Sequence, residues 1–508
     1  MNFGLGLEAA WTATYQPGAA VGRLRRHARR TMLTAAGGLL LAAAAVPAAQ
    51  AADLGGNCCA DLEERIAELE ATTVRKGNRR VSLTLSGQVS RQIMYWNDGF
   101  QHDVYSVDNT VTTSRFRFTG SGKISSDLSA GFMMELDIRI GSRSNQVSQV
   151  DDDGVSGAGG ILGAAAMGDG IGGAGDSVLG IRTANWYLES QHWGKLTVGR
   201  LYTATQGISI IDLSGAGVVI SSEPGEFQGS FFTRNAPGRF GPVWNNLCGG
   251  PSTAGPYSTD CAEHGPSRHD AVRYDTPTLH GFTLSAAFGE DDFYDFALRY
   301  AGEWHGFRLA AGGGYRVFRD REPDVLVIGP PDHKLADTDR RQWLTSASIL
   351  HVSTGLFVSG AYTRYEWRGT NANEVIGGNP DNGHRPDIPL WWFDGGIQKN
   401  WTGWGNTTFY GEWGRYTDGT NGLFAATAFP NLGPLDAGAF TPGTIVLDSE
   451  VTWWGVGAVQ TIDAAAMDLY IAYRHYDASA TISGGPANQI PGGLQDIWFI
   501  QAGARILF

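Results

Sequence analysis

From residue 81 onward, apolar and polar residues alternate with a period of two, as in a β-strand between an apolar and a wet environment. Segment 81–89 places Val81, Leu83, Leu85 and Val89 on one face and polar side chains on the other. Sixteen such segments start near residues 81, 111, 130, 178, 195, 268, 281, 292, 307, 339, 356, 388, 406, 445, 467 and 494. The pattern predicts an all-β chain.

The connections between these segments alternate in length. The tight ones include 125–128, 276–280, 302–306 and 401–405, and the long ones include 141–177, 202–267, 318–338, 368–387 and 418–444. Short turns at one end and long loops at the other are typical of a transmembrane β-barrel of the outer membrane. We therefore predict a sixteen-stranded antiparallel transmembrane β-barrel over residues 79–508, with the short turns in the periplasm and the long loops outside.

The charged side chains indicate which face of the barrel is inside. Glu135, Asp137 and Arg139 share one face of a predicted strand, opposite Phe132 and Met134. Three charges on one face are costly in a dry core and natural in a water-filled lumen, so the polar face is expected to point inward. Paired aromatic residues near the segment ends predict girdles at the membrane interfaces: Tyr95 and Trp96, Trp186 and Tyr187, Trp391 and Trp392, and Trp453 and Trp454.

Composition agrees with strands and excludes a bundle of membrane helices. The 508 residues include 71 glycines and 11% aromatic residues, and only 18% are charged. Such a composition suits strands with apolar faces better than long helices. The mean hydropathy is -0.18 and only the stretch 33–49 is long and apolar, whereas each membrane helix needs about 20 apolar residues.

The N-terminal part reads as two segments that precede the barrel. Five arginines between residues 23 and 30, an apolar run and the small residues Ala49 and Ala51 predict a signal peptide over 1–51, in preference to a membrane anchor. Segment 52–78 follows, with an apolar stripe of Leu62, Ile66 and Leu69 on a charged helix. This periplasmic helix either lies against the main domain or forms a three-chain coiled coil.

The net charge limits the classes of binding partner, and the cysteine positions limit the possible disulfides. Removing residues 1–51 takes away five arginines and one acid, which changes the formal charge from -13 to -17. An acidic chain argues against nucleic acid as a partner and suits a cell-surface protein or a channel that tolerates cations. Cys248 and Cys261 are the easiest of the possible disulfide pairs, because Cys58 and Cys59 are adjacent and do not readily bridge to each other.

The remaining motifs do not predict an enzyme, a metal site or a cofactor. The GxGxxG string at 168–173 lies in a glycine-rich loop without the strand and helix that a dinucleotide site needs. Asp151, Asp152 and Asp153 could hold a divalent cation together with Asp169 or Asp176, but a solvated run of charge is favoured. GxSxG, P-loop, CxxC and HExxH motifs are absent from the sequence.

Three stretches resemble a known family. Segment 52–87 (ADLGGNCC followed by DLEERIAELEATTVRKGNRRVSLTLSG) resembles the start of mature porins of the alphaproteobacterial, rhizobial-type family. Segment 182–200 is similar to the hairpin before the constriction loop of general trimeric porins, and the strand ending at Phe508 resembles the signal read by the barrel assembly machinery. The resemblance implies a homotrimeric outer-membrane channel, in contact with membrane lipid and lipopolysaccharide, through which ions and small hydrophilic solutes diffuse passively.

The same resemblance implies a constriction. The third long loop, about 202–267, would fold into the lumen, with arginines on the wall facing acids on the loop. The expected basic wall is Arg115, Arg117, Arg182 and Arg268, and the expected acids are Asp212, Glu223 and Glu226. The alternative is that these residues simply line a wide wet lumen. The acidic mature chain further predicts a weak cation preference at low salt that fades as salt screens it.

Two other functions remain open from the sequence. A substrate-selective porin would line up aromatic and polar groups along one path. A structural role would use the helix near 61–73 to tether the outer membrane to the cell wall. Conductance blocked by a single solute would indicate the first, and loss of envelope integrity on deletion of 53–76 would indicate the second.

Overall fold

The computed structural model describes residues 81–138, 143–150, 179–248, 268–290, 292–320, 338–368, 386–429, 431–435 and 438–508. The predicted signal peptide and periplasmic helix, Arg139, the aspartates at 151–153, 169 and 176, the GxGxxG string, and Cys58, Cys59 and Cys261 lie outside these residues.

Nineteen strands account for most of the described chain. They are β1 (Ser82–Asn97), β2 (His102–Asp108), β3 (Arg115–Lys123), β4 (Leu128–Ile138), β5 (Leu179–Ser190), β6 (Gly194–Tyr202), β7 (Phe232–Arg234), β8 (Phe240–Val243), β9 (Arg268–Asp275), β10 (Phe282–Gly289), β11 (Tyr294–Trp304), β12 (Phe307–Asp320), β13 (Thr338–His351), β14 (Leu356–Trp367), β15 (Ile388–Lys399), β16 (Thr407–Thr417), β17 (Val446–Ile462), β18 (Met467–Ile482) and β19 (Ile497–Leu507).

Helical structure in the described residues is limited to short pieces. They are α1 (Gly225–Gln228), α2 (Ala425–Ala428) and single 3-10 turns at Ile208–Ile210, Trp244–Cys248, Asp463–Ala465 and Pro486–Asn488. Within the described ranges no helix has both the length and the apolar character needed to cross a membrane.

The strands form one closed antiparallel ring. The small hairpin β7–β8 stands apart, and β2 and β3 both pair with β1. Otherwise each strand of the ring pairs with the next one along the chain, and β1 pairs with β19 to close the ring. Because β2 and β3 both pair with β1, they are two segments of one interrupted strand, and the ring has sixteen positions. The predicted sixteen-stranded barrel is confirmed.

The interruption of the second strand was not predicted. That strand begins at His102 rather than near residue 111, and residues 109–114 leave the sheet between β2 and β3. Its first segment carries charged and polar residues that hide the alternation, and the interrupted stretch is buried inside the barrel, where Asn109 contacts another part of the chain.

The two ends of the barrel differ as expected. At one end the strands are joined by short turns, such as 124–127, 191–193, 305–306 and 352–355, and at the other by the long connections 139–178, 203–267 and 418–445. The turn at 305–306 is the tightest. His305 and Gly306 both have positive φ, 49° and 83°, which is the geometry of a type I′ hairpin turn.

The paired aromatic residues do not all lie on the outer surface. Trp186, Trp391 and Trp454 are exposed on the outside, but Trp96, Trp392 and Trp453 are buried inside the barrel. Successive residues of a strand point to opposite faces, so one member of each adjacent pair must turn inward. Only the outward member of each adjacent pair can therefore belong to a predicted girdle.

The inner face is also not polar all the way round. We call the inner surface of β14–β19 and β1 the packed side, because it is covered by apolar residues of loop 203–248 and of the described part of loop 418–445 in one hydrophobic cluster. Alternation identifies the inward residues, but it does not show that a folded loop covers them. The inward residues of the packed side include large buried aromatics: Trp96, Trp392, Tyr410, Trp453, Tyr476 and Phe499.

Candidate constriction inside the barrel

The loop after β6 turns into the barrel, and we call its described part, 203–248, the constriction loop. Its first residues are held by two wall side chains of β11. Asp295 accepts hydrogen bonds from the backbone N–H of Ala204 at 3.1 Å and of Thr205 at 2.7 Å. Arg299 Nη2 donates to the carbonyl oxygens of Ala204 at 2.6 Å and Gln206 at 2.8 Å. The entry of the loop is thus fixed by charged wall groups.

Wall hydroxyls hold the next part of the loop. The N–H of Leu213 donates to Ser348 Oγ of β13 at 2.9 Å, and Thr408 Oγ1 of β16 donates to the carbonyl of Ser214 at 2.9 Å. Further on, Asn109 Nδ2 donates to the carbonyl of Val218 at 2.8 Å. The loop therefore follows the inner wall from β11 across β13 and β16 toward the start of the barrel.

The opposite side of the lumen carries an arginine cluster centred on one acid. Glu135 of β4 accepts from Arg117 Nε at 2.8 Å, from Arg182 Nε at 2.7 Å and from the Tyr202 hydroxyl at 2.9 Å. Arg115 Nη1 lies 3.6 Å from the same carboxylate. The structure thus brings together three of the four predicted wall arginines.

A β-bulge directs Arg182 into this cluster. Glu135 pairs with Thr183 and the next residue, Leu136, pairs with Ile181, so Arg182 is an extra residue on β5. Strict alternation would put Arg182 on the outer face with Ala184, but a bulge re-aims the side chain. The sequence gives no clear sign of this bulge.

A fourth arginine joins the cluster from outside the predicted set. Arg143 forms an ion pair with Asp137 of β4, which also accepts from Thr113 Oγ1 at 3.0 Å and lies 3.8 Å from Arg182 Nη1. We call the four arginines with Glu135 and Asp137 the basic wall. Arg143 was missed because it lies in the long connection after β4, outside the alternating segments.

On the basic wall, the positively charged side chains are more exposed than the negatively charged ones. The side chains of Arg115, Arg117 and Arg182 are 11%, 25% and 16% exposed, whereas those of Glu135 and Asp137 are 0% and 3% exposed. The wall holds four cations against two anions, and the anions lie beneath. The accessible surface of the basic wall is therefore formed by its guanidinium groups.

The fourth predicted wall residue lies elsewhere. Arg268 is the first residue of β9 and pairs with Tyr202 in the sheet. Alternation along β9 puts it on the same face as exposed Tyr274, and the inward arginine of this strand is the buried Arg273. Arg273 Nη1 donates to the carbonyl of Tyr202 at 2.9 Å. The structure thus places Arg268 away from the basic wall.

The predicted loop acids are spread along the constriction loop. Asp212 lies against β14, where it accepts from the N–H of Ser214 at 2.7 Å and from Ser359 Oγ at 3.3 Å. Burial raises the pKa of the Asp212 carboxyl, and these hydrogen bonds act in the opposite direction. Its position by β14 puts Asp212 next to the packed side.

The two glutamates belong to the loop tip, residues 221–227. Glu223 is buried and accepts from the N–H of Gly225 at 3.1 Å, so it stabilises the turn that starts α1. The carbonyl of Glu226 accepts from Ser144 Oγ at 2.8 Å, which ties the tip to the connection after β4. Both residues therefore have structural contacts within the loop or to its neighbours.

The C-terminal end of the constriction loop carries a disulfide. Cys248 is disulfide-bonded and buried. Its predicted partner, Cys261, lies outside the described residues, so that pairing stays a prediction. The described residues contain no group of three or more histidine, cysteine, aspartate or glutamate side chains arranged to hold a metal ion.

Comparison with known proteins gives a family match and remote structural matches. The model of a family described as Gram-negative porin matches residues 36–483. The anion-selective porin from Comamonas acidovorans is 16% identical, with a TM-score of 0.47 and 84% of this chain and 100% of that chain covered. OmpT of Vibrio cholerae is 12% identical, with a TM-score of 0.44 and coverage of 85% and 99%.

OmpF of Salmonella typhi, in complex with daunomycin, is 11% identical, with a TM-score of 0.43 and coverage of 84% and 97%. Comparison with curated protein sequences finds no match.

Proposed function

We propose, on the premise that the chain belongs to the Gram-negative porin family, that ions and small hydrophilic solutes cross the barrel between the basic wall and the constriction loop. The family and the closed barrel make the chain a multi-pass protein of the outer membrane and a passive channel. What is proposed is the location of the passage and the charge that it presents.

One observation carries this proposal: the guanidinium groups of the basic wall are partly exposed, while the carboxylates that bind them are covered. The constriction loop lies along the other strands of the barrel, where the wall groups that hold it are buried. Among the described residues, the basic wall is thus a part of the inner surface whose charge remains available to a permeating ion. We infer that the narrow region itself favours anions.

This inference modifies the cation preference expected from net charge. The formal charge of -17 acts mainly from loops and mouths, over a Debye length of about 10 Å at 0.1 M salt and about 3 Å at 1 M. The attraction between Arg117 and an anion in contact with it is screened much less. We therefore expect permeability to shift toward anions as salt rises, because the distant acids are screened first.

Reversal potentials of purified channels in planar bilayers test the proposal. A fixed KCl gradient is applied at mean concentrations near 0.1 M and near 1 M, and the permeability ratio of chloride to potassium is compared. A ratio that rises with salt supports the passage along the basic wall. A ratio that falls, or a cation preference that persists at high salt, contradicts it.

The finer assignments are proposals as well. We propose a homotrimer of the alphaproteobacterial, rhizobial type, with the short turns in the periplasm and the outer surface in contact with membrane lipid and lipopolysaccharide. The exposed ring of Phe508, whose backbone pairs with Gly87, supports recognition of the last strand by the barrel assembly machinery. Gel filtration with light scattering in detergent tests the trimer.

A further inference from the structure

A second ion pair inside the barrel differs from the basic wall in being fully buried. Arg474 of β18 donates from Nε and Nη2 to the two carboxylate oxygens of Glu412 of β16, both at 2.8 Å. The side chains are 0% and 1% exposed. Trp392 Nε1 donates to the same carboxylate at 3.1 Å. The pair is bidentate and is held in a fixed orientation on the packed side.

This pair is in direct contact with the loop tip. Arg474 Nη2 lies 3.4 Å from the carbonyl oxygen of Ser221, and the guanidinium carbon lies 4.0 Å from the centre of the Phe227 ring. Arg474 Nη1 donates to the hydroxyl of Tyr476 at 3.2 Å, and that hydroxyl donates to the carbonyl of Pro224 at 2.9 Å. The start, middle and end of the tip therefore each contact the pair or its tyrosine.

Neither ion attraction nor stability explains why a charged pair is placed here. Its charge is shielded from solution and balanced by Glu412, so it contributes little to the field that ions feel. A buried ion pair is also often no more stable than well-packed apolar residues of the same volume. What it does provide is a fixed geometry of donors for the backbone of the tip.

We propose that Arg474, Glu412 and Tyr476, together the tip anchor, act as positioning residues that set the width and steadiness of the passage by fixing residues 221–227. The proposal rests on the passage running beside the constriction loop. Without the tip anchor the tip would sample several positions, and the channel would lose its single steady conductance level.

The chain offers a matched control on the same strand. Arg505 of β19 donates from Nε and Nη2 to Asp468 of β18 at 3.0 and 2.6 Å, and the two side chains are 3% and 10% exposed. This pair resembles the tip anchor in chemistry and burial, but it joins β18 to β19. An effect on conductance that follows from burial of an ion pair alone would appear for both pairs.

The test compares Tyr476→Phe, Arg474→Lys and Arg505→Lys in the full-length channel. Tyr476→Phe keeps the ring and removes only the hydroxyl that bonds Pro224. Arg474→Lys keeps the charge but replaces the planar guanidinium fork with an ammonium, which does not reproduce its fixed set of contacts to Glu412, Tyr476 and the tip. Folding is checked by heat-modifiable migration in SDS gels before single-channel currents are recorded.

Both tip-anchor variants are expected to lose the single conductance level and to show a several-fold rise in open-channel current noise, with Arg505→Lys unchanged. If Arg474→Lys does not fold, Tyr476→Phe decides. Equal noise in Tyr476→Phe and the unmodified channel, or equal noise in the two lysine variants, overturns the proposal. The salt dependence of the unmodified channel is unaffected by that outcome, so failure here is separate from failure of the proposed passage.

Discussion

The two sides of the lumen use the same pair of residue types for different purposes. On the basic wall, Glu135 is covered by arginines whose side chains still reach solution. On the packed side, Arg474 and Glu412 are both enclosed by aromatic residues and the loop tip. The chemistry of arginine and carboxylate is common to both. What covers the pair decides whether its charge acts on ions or only on the loop.

This contrast predicts that the basic wall depends on charge balance. Replacing Glu135 by Gln leaves Arg115, Arg117 and Arg182 without their common counter-charge, so the free energy of unfolding should fall by about 3 kcal/mol, as when one partner of a buried ion pair is removed. Denaturant unfolding in detergent micelles, followed by tryptophan fluorescence, measures the change.

The control for that measurement is Glu450→Gln. Glu450 is paired with Arg415 at 2.8 Å, but both side chains are substantially exposed. An exposed pair contributes roughly 0–1 kcal/mol, so this variant should unfold nearly as the unmodified protein does. If the two variants lose similar amounts of unfolding free energy, burial of Glu135 does not determine its contribution to stability.

The packed side should depend on shape instead. Gly414 of β16 lies under the buried ring of Trp453, and a Cβ atom at residue 414 would come within 2.0 Å of that ring. We expect Gly414→Ala to lower the unfolding free energy by about 1–3 kcal/mol, since the ring must move in a closely packed region. The same denaturant titration applies.

Gly411 of the same strand is the matched position. There an added Cβ would meet its nearest neighbour at 3.8 Å, which is ordinary contact. Gly411→Ala should therefore have little effect. Gly411 has the parity of the outward residues Phe409 and Trp413, so only Gly414 reports on the packed side. Equal tolerance of the two alanines would show that the packed side is not closely fitted at Gly414.

The smallest expected effect is on ion selectivity. Arg117 is the most exposed of the three predicted wall arginines at the Glu135 cluster, and a unit charge about 4 Å from an ion in water contributes about 1 kcal/mol, a factor of about five in local concentration. Arg117→Gln should lower the permeability ratio of chloride to potassium, measured from the reversal potential, by up to that factor of about five. The variant should also raise conductance.

Glu223→Gln provides the comparison, because this acid is buried in the loop tip. Its effect on the reversal potential should be clearly smaller than that of Arg117→Gln. A larger shift for Glu223 would place the passage beside the tip and not beside the basic wall.

Strand number and inward-facing positions follow from the sequence, because alternation reports directly on the two faces of a strand. Glu135 and Asp137 were correctly placed on the inner face for that reason. The bulge at Arg182 was not predictable, since one extra residue leaves almost no trace in a pattern of period two. The contact between Arg474 and Phe227 was equally unpredictable, because it depends on how far the constriction loop extends across the inside of the barrel.

The seam between β1 and β19 has a consequence for assembly. Its register runs from Gln88 opposite Leu507 to Asn97 opposite Trp498, and Gly87 and Phe508 exchange two further backbone hydrogen bonds. Other neighbouring strands of the ring follow one another in chain order, so this contact is the least local of all and slow to form. Until β19 arrives, β1 presents an open edge that invites pairing with another chain. Biogenesis therefore requires that this edge be shielded for as long as the remaining strands are being added.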